Sequence, residues 1–599
     1  MENTGLLTAT PSISWRQRAR RFARTRIGAI IVASIAVVSA VLLLRALLLP
    51  NQQPQPPLIR CAQTPALVPS THAEWISKFS GDNTYIAAAA ERLAGAVRIR
   101  TESFDEWRGV APPSAPTPDS VHAGFEQLHT YLVEAFPLVH ATLTRRVINR
   151  YALLYTWTGS ESISRKEYPA PLLLMAHQDT VPVLNASLPL WSEPPFSGKV
   201  DLANDAIWGR GAVDTKPTLV GALEAIEALL HNKFIPKMDV YLAFGYDEEI
   251  SGYQGAKPIA EFLENSLGLK GKFGLILDEG LDSITETDGI NLAIVNTAEK
   301  GYLDYHISLE TPGGHSSVPP LHTGIGLMSQ LINALENNPY PIKLTESNPY
   351  FGTIVCSAEH SPNPDKYIKN ALSDFNHQSE NLANYLAARS LKDRYRMASS
   401  QAIDIIQGGL KVNALPELVT VDINNRISID SSASEFQIHT ANSLLPIAKK
   451  YNLNFTFIDF LHPNSGKPLA SHRSPTALGN VTVFTRASDF PLEPSPISIV
   501  NTPAWNIVEG TIHHVYERPE SWLDAKPRQF VVAPGLMAGN TDTRHFWNLS
   551  KNILRFAPAV GGFGYHTVDE RASIKGYMTA VTFFHELIRN YDEQIGEKK

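Results

Sequence analysis

Residues 171–230 read PLLLMAHQDTVPVLNASLPLWSEPPFSGKVDLANDAIWGRGAVDTKPTLVGALEAIEALL, and this stretch decides the fold. Leu172, Leu173, Leu174 and Met175 form a short unbroken apolar run, the pattern of a strand covered on both faces. His177 and Asp179 stand where that run ends. A loop follows, and then a Gly-flanked aspartate, Asp214, opens an amphipathic helix with the stripe Leu219, Leu223, Ile226, Leu229 and Leu230. Pro217 falls in its first turn, where a missing N–H costs nothing. Strand, loop and helix in this order predict an α/β domain, and open α/β sheets collect their chemistry at the carboxyl ends of strands.

Two further runs end in the same way. Val240 to Phe244 leads into Asp247, Glu248 and Glu249, and Leu275 to Leu277 leads into Asp278 and Glu279. One polar strand end carries little meaning, because polar residues commonly follow strands. Three of them, with Asp214 between, assemble a mixed nitrogen and oxygen ligand set that suits a borderline divalent cation such as zinc.

The chain has 599 residues, enough for two or more domains, and its net charge of -7 gives no reason to expect a nucleic-acid partner. With two cysteines, Cys61 and Cys356, no disulfide framework can be read; one bridge or two separate thiols both fit. The N-terminus stands apart. Residues 27–44 are uncharged and overwhelmingly apolar, and the apolar character resumes after Arg45 up to Leu49. That length spans a hydrocarbon core of roughly 30 Å as a helix. Six arginines precede it and almost no basic residue follows before Arg60, which places residues 1–26 in the cytosol and the rest across the membrane. The reading is a cytosolic tail (1–26), a transmembrane signal anchor (27–49) and a Pro- and Gln-rich stem (50–70). A cleaved signal peptide and a mitochondrial presequence are the alternatives; the apolar block is long for the first and lacks a small-x-small cleavage site. Sequons at Asn185, Asn454, Asn480 and Asn548 fall on the proposed lumenal side, and a vacuole-like compartment is the expected location.

Past the stem, residues 71–297 read as the first part of a catalytic domain. Near Ala298 the pattern changes: 300–309 alternates like a half-buried strand, 325–335 is helical, and 419–429 alternates again. This composition predicts an inserted α+β domain over 298–455, lengthened by the polar stretch 357–400. Residues 456–599 then return to the first pattern, with His566 on a Gly-rich loop before a long amphipathic helix.

These residues resemble the M20 family of metallopeptidases, and within it the carboxypeptidase S, or Gly-X carboxypeptidase, group. The matching pieces are AHQDTVP (176–182), WGRGAVDTK (208–216), GYDEEISG (245–252), LDEG (277–280), TPGGHSS (311–317), NTDTRHF (540–546) and FGYHTVDE (563–570). The resemblance implies a zinc-exopeptidase-like catalytic domain, a mixed and mostly parallel sheet flanked by helices, with the insertion as lid or dimerisation domain. It implies two zinc ions held by His177, Asp214, Glu249, Asp278 and His566, with Asp214 bridging; family members differ over the acid of the fourth motif, which leaves Glu279 open beside Asp278. Asp179 would orient His177, Glu248 would be the general base to a metal-activated water, and His315 of the lid would stabilise the oxyanion, in dimers often from the partner subunit. For the free carboxylate of an exopeptidase substrate Arg544 is the first choice, with Asn413 and Arg426 of the lid behind it. His306, His322 and His545 have no motif role and read as structural. Asn424 and Asn425 stand where relatives often carry an acid, which bears on lid contacts and not on the metal site.

The chain contains no His-Glu-x-x-His and no Gly-x-Ser-x-Gly elbow, and neither cysteine lies in a constellation, which argues against a serine or thiol mechanism. The expected activity is removal of C-terminal residues from short peptides. An N-acyl-amino-acid hydrolase or synthase uses the same site, and a non-catalytic type II receptor ectodomain would instead show decayed ligands. A homodimer is compatible with the lid.

Overall fold

The computed structural model describes residues 60–70, 74–110, 121–161, 170–280, 283–462, 465, 467–486, 491–518 and 528–596. The expected cytosolic tail, the membrane anchor and residues 50–59 of the stem lie outside them. Among the described residues no helix is long and apolar enough to cross a membrane.

The larger sheet is built around the run that opened the sequence. All six residues of Leu172–His177 are buried, as are all six of Val240–Gly245 and all four of Leu275–Asp278. From one edge the strand order is Thr144–Ile148, Ala152–Trp157, Val240–Gly245, Leu172–His177, Leu275–Asp278, Ile553–Arg555, Ile290–Glu299 and Phe530–Met537, with Ile284–Thr287 paired to Ile290–Glu299. Parallel pairing runs through the four strands at the centre and again between the last two, while the first edge and the Ile553–Arg555 junction are antiparallel. The sheet is thus mixed, with parallel pairing concentrated at its centre rather than prevailing across it.

The helix Lys216–His231 lays Leu219, Leu223, Ile226 and Leu229 on this sheet, together with the long helix Ile574–Gly596. Each of those buried aliphatic side chains contributes about 1.5–3 kcal/mol relative to exposure. Because the central strands run parallel and in register, His177 opposite Gly245 and Leu174 opposite Leu277, their polar sequels emerge side by side at one edge.

The second sheet has the order Ser400–Gly408, Leu418–Ile427, Gly301–Glu310, Asn480–Phe484, Asn454–Ile458 and Pro468–His472. The helices Gly324–Glu336 and Ala433–Lys450 cover it through Leu327, Leu331, Phe436 and Leu444. This inserted α+β unit continues past 455 to Phe484, so the expected boundary falls inside its sheet. The chain then rejoins the first sheet, where Ser495 N and Ser498 N donate to the carbonyls of Glu299 and Thr297.

The stretch 357–400 differs from expectation. Its helices, with Pro349–His360 before them, pack Phe351, Ile354 and Leu386 against Leu292, Ile294 and Val531 of the larger sheet. They cover an edge of the catalytic domain and do not lengthen the lid. The apolar positions there are spaced too widely among polar ones for one-dimensional periodicity to reveal which sheet they face.

Cys61 and Cys356 are joined in a disulfide across a sequence separation of 295 residues, tying the start of the described chain to the helix Pro349–His360. Closing so long a loop restricts the unfolded chain, a contribution of about 2–4 kcal/mol. The C61A/C356A double variant should lose about that much unfolding free energy in denaturant titration. An unchanged midpoint and slope would show that the bridge adds nothing to stability.

Candidate metal centre

His177 is the last residue of its strand and lies 1% exposed. Its Nδ1 stands 3.0 Å from the Asp179 carbonyl oxygen and 3.2 Å from the Asp179 carboxylate, which turns Nε2 toward the strand ends. Nε2 is 3.1 Å from Asp214 Oδ1 and 3.5 Å from Glu279 Oε1. On the other side of the same carboxylate, Asp214 Oδ2 is 3.0 Å from His566 Nε2, which in turn lies 3.3 Å from Glu249 Oε2. Two triads result, His177–Asp214–Glu279 and Asp214–Glu249–His566, each with ligand atoms within 4.8 Å of one another and Asp214 shared.

Each element has a local cause. Asp179 does more than orient His177: its two carboxylate oxygens accept from Glu248 N and Glu249 N, both at 3.1 Å, and Oδ2 also accepts from Ser103 Oγ at 2.7 Å. One aspartate thereby fixes the imidazole and caps the short 3₁₀ turn Glu248–Ile250 that carries both glutamates. Asp247 closes the same loop by accepting from Gln254 N and Gly255 N at 2.7 Å. His566 sits at φ 55°, in the left-handed region, at the tip of a loop whose base is closed by Phe563 and Arg571 exchanging backbone bonds at 3.0 Å.

Asp278 and Glu279 divide the fourth motif. Asp278 is buried, its Oδ1 accepts from Glu279 N at 2.9 Å, and its Oδ2 has no partner among the described residues. Glu279 is the acid that reaches His177. The expected ligand Asp278 stands behind the cluster, and the neighbour left open beside it takes its place in the triad. No sequence signal separates two adjacent acids at a strand end; their side chains diverge only once the backbone is placed.

The charges are crowded. Burial pushes Glu249 up to about 7, with Asp214 adding to the rise and His566 opposing it. Burial likewise raises Glu279 to about 7 against the pull of His177. Glu248 is pushed well above the usual carboxylate range by burial and by Glu279 and Glu249, again against His177. For Asp214 burial acts upward, yet the hydrogen bonds from His177 and His566 win and hold it below its ordinary value. Hydrogen bonds to Asp214 and Glu249 raise His566 to about 10. Two imidazoles do not balance so many buried carboxylates, and this donor set, two histidines and carboxylates around a shared aspartate, fits a pair of divalent cations.

Arg544 lies on the turn Asp542–His545, which Glu299 anchors from the end of its strand: the Glu299 carboxylate accepts from Thr541 Oγ1 at 2.8 Å, Thr543 Oγ1 at 3.0 Å and Arg555 Nη2 at 3.3 Å. Arg426 reaches over from the second sheet, its guanidinium 4.8 Å above the Tyr302 ring and its Nη1 donating to Asn540 Oδ1 at 2.7 Å. Neither arginine has a carboxylate partner among the described residues. Burial lowers Arg426 below the usual guanidinium range, with Arg544 adding to that effect and Tyr302, Asp304 and Glu248 opposing it. Asp542, two residues before Arg544, is buried with no partner for either oxygen among the described residues, and a Cβ at Gly245 or Gly252 would strike its carboxylate. Sequence reading missed Asp542, whose position next to Thr541 carries no pattern of its own.

His315 and Asn413 are not brought to this cluster. Both are exposed on the ribbon formed by Gly314–His315 and Ala414–Leu415, where Ser317 Oγ lies 2.7 Å from His315 Nδ1 and Ser316 N donates to the Asn413 carbonyl. His306 pairs with Asp422 at 2.6 Å, His322 packs edge-on against Tyr451, and His545 lies 2.9 Å from the Ser251 carbonyl oxygen.

Comparison with known proteins agrees with this geometry. The profile of Peptidase family M20/M25/M40 matches residues 173–590. Carboxypeptidase S of Saccharomyces cerevisiae is 38% identical over 522 residues, 86% of this chain and 85% of that protein. The N-fatty-acyl-amino acid synthase/hydrolase PM20D1 of Bos taurus is 29% identical over 519 residues, 84% of this chain and 88% of that one. Among solved structures, human carnosine dipeptidase 1 superimposes with a TM-score of 0.57 at 12% identity, covering 88% of this chain and 100% of that chain. The M20 family metallo-carboxypeptidase Sso-CP2 of Sulfolobus solfataricus gives 0.55 at 16% identity, covering 84% and 99%. With the family profile spanning most of the chain and the motif histidines and acids converging on one cluster, the chain belongs to peptidase family M20/M25/M40 and is a metallopeptidase of that family.

Proposed function

We propose that this protein is a two-zinc carboxypeptidase that releases the C-terminal residue of short peptides. The observation that carries the reading is the pair Arg544 and Arg426: two guanidiniums, one from each sheet's domain, Arg426 feeling the charges of Arg544 and Glu248, and neither paired to a carboxylate among the described residues. Like charges held together in a partly buried cleft favour an anion, and a planar carboxylate matches the guanidinium fork. Bound there, the terminal carboxylate would place the last peptide bond over the two triads.

In this reading His177, Asp214 and Glu279 hold one cation and Asp214, Glu249 and His566 the other. Cations held there would supply a water of lowered pKa and polarisation of the scissile carbonyl. Glu248 belongs to neither triad and lies 4.0 Å from His177 Nε2. Its carboxylate takes the proton of the attacking water and passes it to the departing amine. Asp179 keeps Glu248 in reach by holding its backbone N–H. His315 enters from a second copy of the chain; the exposed Val318, Leu321, Leu410 and Val412 around it support a homodimer through this face.

The disulfide supports a lumenal location behind the anchor at 27–49, since such bonds persist in oxidising compartments. Of the four sequons, Asn185, Asn480 and Asn548 are exposed, and Asn185 would carry a glycan most readily because the amides of Asn480 and Asn548 are engaged with Asn454 and Glu264.

N-acyl amino acids offer the same amide beside a free carboxylate, and the bovine relative is named for them. Steady-state kinetics on N-blocked dipeptides and on fatty-acyl amino acids, after chelation and zinc add-back, separates the two. Higher kcat/KM on dipeptides is expected; preference for the fatty-acyl substrates would move the protein to the other activity. R544A should raise KM about 10- to 100-fold with a smaller change in kcat, as loss of one charge-assisted pair of 1.5–3 kcal/mol implies. An unchanged KM would remove Arg544 from the substrate.

A further inference from the structure

We propose that Glu570 is a positioning residue that sets the distance between the two sequence-distant ligands Asp214 and His566. It deepens the two-cation reading and rests on it. Glu570 lies four residues beyond His566, 1% exposed, at the closed base of the loop that carries that histidine. From there it holds the Asp214 turn by four bonds. Its carbonyl accepts from Gly209 N at 2.9 Å, and its Oε2 takes Arg210 Nη1 at 2.5 Å. Its Oε1 accepts from both Val213 N at 2.9 Å and Asp214 N at 3.3 Å.

The two segments are 356 residues apart in sequence, and the shared aspartate must meet His566 at 3.0 Å. A buried ion pair such as Arg210–Glu570 seldom adds net stability, because desolvating two charges offsets their attraction. What this one does is geometric. Oε1 grips the backbone N–H of the ligand itself, and the same residue's backbone continues into the His566 loop. The loop is braced from a further side by Asp569, whose carboxylate accepts from Ser192 N at 2.6 Å and Ser192 Oγ at 2.8 Å. Glu570 therefore converts two flexible loops into one frame, and the cradle between Asp214, Glu249 and His566 is as wide as that frame allows.

Zinc titration of the full-length protein against a competing fluorescent chelator tests this. Wild type should bind two ions per chain. E570Q keeps an oxygen where Val213 N and Asp214 N donate, so both affinities should stay within about threefold of wild type, whereas E570D keeps the charge but withdraws the acceptor by one methylene and should lose about 10- to 100-fold for one ion. R210M should lower the unfolding midpoint while leaving both zinc affinities unchanged. The proposal is overturned alone if E570D binds both ions as tightly as wild type, or if E570Q loses as much as E570D, for then charge and not acceptor position would matter. It is also overturned alone if all three variants lose unfolding midpoint with zinc affinity intact, the mark of a purely structural role. Wild type binding fewer than two ions would overturn the two-cation reading and this proposal with it.

Discussion

D214A should lose both zinc ions and its turnover together. Asp214 contributes one oxygen to each triad, 3.1 Å from His177 and 3.0 Å from His566, and among the described residues no other side chain belongs to both. In the proposed two-cation reading about 4 kcal/mol or more of transition-state stabilisation would be lost with the ions, which at about 1.36 kcal/mol per decade corresponds to a fall in kcat of about a thousandfold or more. Folding should survive. Removing Asp214 takes one repelling charge away from Glu249 and Glu279 but also the acceptor that His177 and His566 share. Because the depressed Asp214 carboxylate stabilises the fold near neutral pH, the unfolding midpoint of D214A in chelator should fall below that of wild type in chelator. Metal analysis of dialysed protein, read beside a melt, decides the matter: retention of both ions by a folded D214A would refute the shared role.

E248Q should behave in the opposite way toward metal. Glu248 lies outside both triads, and glutamine preserves its shape, so two ions per chain should remain and KM should change little. A general base contributes about 10²–10⁴-fold, and kcat should drop within that range. The backbone N–H of Glu248 stays on Asp179, so the turn carrying Glu249 keeps its place. Turnover within tenfold of wild type, with metal intact, would assign the proton transfer to another group. The two variants form a pair: one loses metal and chemistry, the other loses chemistry with metal retained.

A good part of this was legible one residue at a time. Leu172–Met175 announced a strand buried on both faces because no polar residue interrupts the run, and the strand is buried throughout. His177, Asp214, Glu249 and His566 were chosen from motif and position, and they converge. Lys216 closes the motif 208–216 and carries no local pattern that marks it. Its buried ammonium donates to the carbonyls of Ala96 and Ile99, sewing the C-terminal end of another helix to the turn that follows Asp214. Nothing within ten residues of Lys216 discloses that contact.

The chain by itself determined the element types, the sites where acids and histidines leave the strands, and the kind of ion they suit, because periodicity and residue chemistry are local properties. Only the tertiary structure decided which of Asp278 and Glu279 faces His177, which sheet the helices of 357–400 cover, where the second sheet ends, that Cys61 meets Cys356, and that Glu570 grips the Asp214 turn. Those outcomes depend on the direction of side chains and on contacts between residues hundreds of positions apart. Such directions are set by backbone dihedrals and packing summed over the whole fold, and no short window of sequence contains that sum.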